Sequence, residues 1–327
     1  MNDIYPLKFE PIFKDKIWGG DKIKTKLGLD FDPLPNCGEV WVLSGVEDNA
    51  STVTNGFLEG NELNELVEVF MGDLVGDNVY NKFGNEFPIL IKFIDANDYL
   101  SIQVHPDDEL AAKRHSGFGK SEMWYIIDAD KDAELITGFK HKSNKEEYLK
   151  HLEDKTLKNI LNSEKVTNGD VFYIPAGRVH ALGPGLLLAE IQQSSDTTYR
   201  IYDWDRVDDK GNHRELHTEL ALDAIDFDFH DDYKTIYSDK VNKTVTLVNT
   251  PFFNTNIIHL TAMIEKDYEE LDSFVIYTCT EGTFELIYDN KIMSVSKGEV
   301  VLIPNIINKI KLKPLTPSKI LETFIIC

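Results

Sequence analysis

Residues 169–180 read GDVFYIPAGRVH: a glycine, five residues, a proline, one residue, a second glycine, two residues and a histidine. Val171–Ile174 is a β-branched and aromatic run, and Pro-Ala-Gly is turn chemistry, so the stretch is two strands joined by a tight turn that delivers His180. Working outward, residues 100–108 read LSIQVHPDD, and strand alternation puts Gln103 and His105 on one face. Glu122 opens the apolar run EMWYII. Three strand-like segments far apart in the chain thus offer four potential metal ligands. Two imidazole nitrogens with one or two oxygens suit zinc or a similar divalent ion. The expectation is a metal site at the mouth of a small β-barrel, and hence an enzyme.

The 327 residues suffice for two domains and a large core, and 42% hydrophobic with 28% charged residues is an ordinary globular composition. Against 34 basic residues stand 56 acidic ones, a net charge of -22. That field opposes nucleic acid and anionic membrane, so neither is expected as a partner, and an anionic substrate requires a local basic pocket. The start of the chain, MNDIYPLKFEPIF, is polar and interrupted by proline, and no apolar run reaches the length of a membrane span. Neither a signal peptide nor a transmembrane helix is expected. Cys37, Cys279 and Cys327 are odd in number and widely spaced, which speaks against a disulfide framework and for a reducing cytoplasm.

Short β-rich segments dominate: 39–44, 88–96, 100–104, 122–127, 171–174 and 187–192. Helical periodicity is confined to 61–71, 107–115, 145–161 and 217–225. No GxGxxG or P-loop pattern is present, so the expected class is mainly β, as two jelly-roll barrels with helical decorations on the first. The polar stretch 226–243 reads as a connector. It divides a decorated barrel over 1–230 from a smaller barrel over 231–327, with strands at 255–264, 273–279, 283–288, 291–295, 300–303 and 319–326. There Gly298, five residues and Pro304 repeat the spacing of Gly169 to Pro175, but Lys309 stands where the first copy has His180. The second barrel is therefore expected to bind no metal.

The 169–180 pattern resembles the second signature motif of cupin barrels, a fold that hosts many chemistries. More narrowly, LSIQVHPDD, GKSEMWYII, YIPAGRVHAL and LLAEIQQSSDTTYRIYDWDR resemble the blocks of type I phosphomannose isomerases in their short bacterial form, in order and approximate spacing. IWGG and GEVWVLS extend the match toward the amino terminus, and the last third of the chain resembles the family less. The resemblance implies one zinc per chain on Gln103, His105, Glu122 and His180, and a catalytic arginine at Arg200. It implies further pocket positions at Trp18, Glu39, Lys92, Ser101, Lys120, Glu190 and Asp196. The implied reaction interconverts mannose 6-phosphate and fructose 6-phosphate through a cis-enediol, in a monomer or a homodimer.

That reaction requires a base beside the carbon acid and positive charge where the enediolate oxygen develops. Arg200, with its planar donor fork, suits an enediolate or a phosphate. Glu190 and then Lys120 are the candidates for moving the proton, with Lys92 and a metal-bound water as competitors. Each residue also has a plainer role. On that plainer reading Arg200 pairs with Asp196 or Asp203, Glu190 is a satisfied core carboxylate, and Trp18 and Trp41 are packing aromatics, although either tryptophan also suits a sugar platform. His115, His141, His151, His213, His217, His230 and His259 read as surface or capping residues. Two other activities fit the cupin pattern: a non-catalytic metal- and sugar-binding protein, and an iron-dependent dioxygenase. The dioxygenase fits less well, because Gln103 stands where a further histidine is wanted.

Overall fold

Alternating apolar and polar residues cut the chain into short strands. The computed structural model describes residues 4–207 and 210–327, and among these it contains twenty strands and seven α-helices. The first half runs β1 (Ile12–Lys14), β2 (Glu39–Leu43), β3 (Ile89–Ala96), β4 (Ile102–Val104), β5 (Glu122–Ala129), β6 (Glu134–Phe139), β7 (Leu161–Lys165), β8 (Val171–Ile174), β9 (His180–Leu182), β10 (Leu186–Gln193) and β11 (Tyr199–Tyr202). The remainder runs β12 (Thr244–Asn249), β13 (Asn254–Leu260), β14 (Ile264–Asp267), β15 (Val275–Glu281), β16 (Thr283–Tyr288), β17 (Lys291–Ser296), β18 (Val300–Ile303), β19 (Lys309–Pro314) and β20 (Ser318–Phe324). All the α-helices lie in the first part: α1 (Lys22–Thr25), α2 (Leu63–Phe70), α3 (Gly72–Val75), α4 (Asp77–Phe83), α5 (Asp108–His115), α6 (Lys145–Glu153) and α7 (Thr218–Ala224).

Four sheets result, ordered β1-β2-β3-β10-β5-β8, β11-β4-β9-β6-β7, β12-β13-β20-β15-β18 and β14-β19-β16-β17. The class is mainly β, as expected, but the sheets are not closed barrels. Each ladder ends at an edge strand, so each half is a pair of open sheets. Apart from β1 and β11, the strand order of the first pair recurs ten strands later in the second. The chain is thus built on an internal repeat. The expected helix over 145–161 stops at Glu153, because Lys155 takes a positive φ of 55° and Leu161 already opens β7. The single strand expected over 255–264 is two, β13 and β14, separated at 261–263.

Side-chain parity decides what each face touches. Ile94, Ala96, Trp124, Ile126, Leu186 and Leu188 meet Leu135 and Leu182 in the core between the first two sheets. The alternate residues Ile89, Ile91, Phe93, Met123, Tyr125, Leu187 and Ala189 pack instead with Ile257, Ile276 and Leu302 of the second half. Both halves therefore share one apolar core, which also takes in Leu66, Leu74 and Val79 from α2, α3 and α4. The outer face of the β4-containing sheet is covered by Leu110, Tyr148 and Ala221 from α5, α6 and α7. The stretch 226–243 has neither helix nor strand, but Tyr233 and Tyr237 pin it by donating to the carbonyls of Phe139 and Gly169.

Candidate active site

The turn in 169–180 carries the chain from one sheet to the other. β8 is the edge of the six-stranded sheet and β9 lies inside the five-stranded one. Gly177 makes the turn at φ 89°, its N–H donates to the His105 carbonyl at 2.9 Å, and a Cβ there would lie 2.9 Å from the Ala224 carbonyl oxygen. His180 then enters β9 opposite Gln103 of β4. On β4, Ile102 and Val104 face the helix-covered side, so Gln103 faces the other sheet. From that sheet come Glu122 and Trp124 on β5, Glu190 on β10 and Lys92 on β3, with Glu190 paired to both Trp124 and Lys92. Arg200 of β11 lies opposite Gln103.

His105, Glu122 and His180 meet with one ligand atom each, all within 4.8 Å of one another. Nε2 of His105 is 3.4 Å from one Glu122 oxygen and Nε2 of His180 is 3.3 Å from the other. Each imidazole pairs its Nδ1 with a backbone carbonyl, Thr197 at 2.9 Å and Arg178 at 2.8 Å, which turns Nε2 toward the carboxylate. Burial, and next the nearby Lys120, hold His105 well below the ordinary histidine range; burial first also lowers His180. Neutral imidazoles beside a buried carboxylate are the donors a divalent ion requires. Both Glu122 oxygens and the His105 Nε2 are buried without a hydrogen bond, a set of acceptors that a cation satisfies. Gln103 points its amide at His180 Nε2, at 3.2 Å, and a half-turn of that amide presents its oxygen instead.

Beside this group opens a cavity of about 350 Å³. Trp18, Glu39, Lys92, Ser101, Lys120, Glu190, Asp196 and Arg200, all expected from the sequence, line it. Its cationic side chains are Lys14, Lys16, Lys92, Lys120, Arg200 and Arg214, against Glu39, Glu190 and Asp196. A chain of net charge -22 thus has a locally basic pocket. Lys92 is buried, paired with Glu190 at 2.7 Å and Glu39 at 3.7 Å. Burial pulls its pKa down, but the two carboxylates outweigh that and raise it. Burial pushes the Glu39 carboxyl up, yet Lys92 and Lys16 bring it to about 2. Lys120, 3.6 Å from Glu122, is lowered by burial and by the Lys92 charge. Glu190 also accepts from Trp124 Nε1 at 2.6 Å.

Arg200 pairs with neither Asp196 nor Asp203. Its Nη1 donates to the Glu215 carbonyl at 2.8 Å, while its Nε is buried without a partner. His217 accepts from the Arg200 backbone N–H at 3.1 Å, so it anchors β11. Lys14, Lys16, Asn49, Trp124 and Arg214 also line the cavity and were not singled out by sequence reasoning. Lys14 and Lys16 share the alternation parity of Trp18, and Trp124 that of Lys120 and Glu122, so that signal was present. Arg214 arrives on a return segment and carries no such pattern.

In the second half, Val275 pairs with Ile303 as Glu122 pairs with Ile174, so valine stands at the carboxylate's register position. Lys309, at the position of His180, is exposed and faces Asp267 at 3.6 Å. The buried pair survives in altered form. Glu322 aligns with Asn256 and Tyr277 as Glu190 aligns with Lys92 and Trp124, and it takes Lys266 at 2.7 Å.

Open paired sheets with a buried His-Glu-His group at the edge of a cationic cavity define a cupin-type protein equipped to hold a metal. Comparison with known proteins narrows this. The phosphomannose isomerase type I catalytic domain matches residues 7–146, and the mannose-6-phosphate isomerase cupin domain matches residues 243–315. Mannose-6-phosphate isomerase ManA of Bacillus subtilis is 36% identical over 314 residues, 94% of this chain and 96% of the relative. The Streptococcus mutans mannose-6-phosphate isomerase is 35% identical over 303 residues, 92% of this chain and 93% of its own. A crystal structure of the Bacillus subtilis mannose 6-phosphate isomerase superimposes with a TM-score of 0.87 at 33% identity, covering 98% of this chain and 99% of that one. The chain belongs to the type I phosphomannose isomerase family of enzymes.

Proposed function

We propose that this chain interconverts mannose 6-phosphate and fructose 6-phosphate through a cis-enediol, with one zinc ion held by Gln103, His105, Glu122 and His180. The observation that carries the reading is the buried acceptor set of Glu122 and the two imidazoles beside a cavity rich in lysine and arginine. An ion bound there supplies Lewis-acid polarisation of the sugar oxygens. The rest falls to the protein. Arg200, whose Nε has no partner, holds the charge that develops on the enediolate oxygen. Glu190 and Lys120 move the proton between C1 and C2. Two donors engage Glu190, Lys92 and Trp124, which leaves about half of a carboxylate's four acceptor sites for substrate. Trp18, Glu39, Lys92, Ser101 and Asp196 shape the remainder of the pocket.

A coupled assay with mannose 6-phosphate, run before and after chelation and again after zinc return, tests the reading. Turnover should vanish with the metal and come back with zinc. In heavy water, NMR should show deuterium entering C2 of the sugar phosphate. A metal- and sugar-binding protein without catalysis binds the ligand and leaves C2 protonated, and that result would displace the isomerase reading.

A further inference from the structure

Downstream of β11 the chain turns at Trp204 and Asp205, both at positive φ, and comes back so that Val207 bridges His213. That return carries Arg214 to the cavity wall. Asp203, 5% exposed, receives Arg214 side-on: Nε donates to one oxygen at 2.7 Å and Nη2 to the other. The same carboxylate also takes Arg206 at 2.6 Å. Two guanidinium groups thus share one buried anion, and a third, Arg200, stands close by. Arg214 is the largest charge lowering the Arg200 pKa, second only to burial. Arg206 also reaches Asp98 at 3.6 Å, but the three guanidinium groups still outnumber these two carboxylates. A guanidinium has five donors and a side-on fork uses two, which leaves the Nη1 end of Arg214 outside the pair. The neighbouring Glu215 carbonyl fixes Arg200, so a single return segment sets both arginines.

We propose that Arg214 recognises the phosphate dianion of the substrate, and that Asp203 is its positioning residue. The proposal rests on the sugar-phosphate reading above. Charge-assisted hydrogen bonds from a planar fork favour a tetrahedral dianion over a neutral hydroxyl, so the contact contributes to binding more than to the chemical step.

The test uses the metal-loaded full chain carrying Arg214→Ala, Arg214→Lys or Asp203→Asn. For Arg214→Ala, KM for mannose 6-phosphate should rise about ten- to hundredfold while kcat stays within about threefold. The inhibition constant of inorganic phosphate should rise in parallel, and millimolar guanidinium should bring KM back toward the wild-type value, which a purely structural role does not predict. Arg214→Lys keeps the charge but not the fork and should fall between; Asp203→Asn should raise KM as well. Unchanged KM and phosphate inhibition in Arg214→Ala overturn the proposal and leave the isomerase reading standing. If the wild-type protein does not turn over mannose 6-phosphate, that reading fails, and calorimetry with inorganic phosphate still decides: weaker binding by Arg214→Ala supports the arginine's role, and equal binding overturns it.

Discussion

Replacing Lys92 with methionine keeps most of its apolar stem and removes the one charge that Glu190 and Glu39 share. The Lys92 ammonium lies 2.7 Å from Glu190 and 3.7 Å from Glu39. With an effective dielectric constant of about 20, the first contact alone is a gross attraction of about 6 kcal/mol, much of it offset by the desolvation of both ions. Breaking such a buried pair by removing one partner costs about 3–5 kcal/mol. The titration of Glu39 gives an independent figure. Its folded pKa of about 2, against 4.5, is depressed, so its contribution is fully present above 4.5 and is lost as pH falls through about 2. A depression of that size corresponds to about 3 kcal/mol at neutral pH. Without Lys92, the largest charge opposing burial at Glu39 is lost and this contribution shrinks, with Lys16 and the Trp41 N–H left to hold the carboxylate. Urea unfolding at pH 7 should show a loss of about 3–5 kcal/mol, equivalent to about 4–7 °C in Tm for a chain of this length. The deficit should shrink as the pH is lowered toward 4, because Glu39 then takes up a proton in the variant. Adding Glu190→Gln to Lys92→Met should recover part of the loss. A deficit below about 1 kcal/mol, or one of equal size at pH 4 and pH 7, would refute the view that Lys92 stabilises these carboxylates.

Arg200→Ala should lower turnover of mannose 6-phosphate about a hundred- to thousandfold while bound metal and circular dichroism stay as in the wild type; near-normal turnover removes this arginine from the reaction. Asp95, whose carboxylate accepts from the Lys22 backbone N–H at 2.7 Å, is raised by burial to about 6. This raised value makes its contribution to stability fully present below 3.8 and lost as pH climbs through about 6. Relative to wild type, Asp95→Asn should therefore gain about 2–3 kcal/mol between pH 4 and pH 7 in unfolding experiments. A difference that does not change with pH contradicts the assigned burial.

The proposed ligand group was legible because two local patterns carried it. Alternation in LSIQVH oriented Gln103 and His105, and the Gly-Pro-Gly turn returned His180 to the same space. The loss of the histidine in the repeat, at Lys309, was readable from the same spacing. Arg200 came only through family resemblance, since a lone arginine on YRIY has no pattern of its own; its place opposite Gln103 is a matter of sheet register. Barrel closure was not readable either. Turn chemistry reports which strands are joined, whereas closure depends on whether distant edges pair, and the edges at β8 and β7 do not. β9 (HAL), three residues long, fell below the length at which alternation is informative, and β7 (LNSEK) has one apolar residue and so shows none. Arg214 depended on a return bridged at Val207 and His213; Gly211-Asn212 marks a turn there, but nothing local shows that the side chain after it reaches the cavity.

Metal binding at this one place is measured by elemental analysis with X-ray absorption on wild type and Glu122→Ala. The wild-type chain should hold one zinc, with imidazole nitrogens at about 2.0–2.1 Å in the absorption spectrum, and Glu122→Ala should lose it while staying folded. One zinc retained by Glu122→Ala, or a wild-type spectrum without nitrogen ligands, would contradict the account.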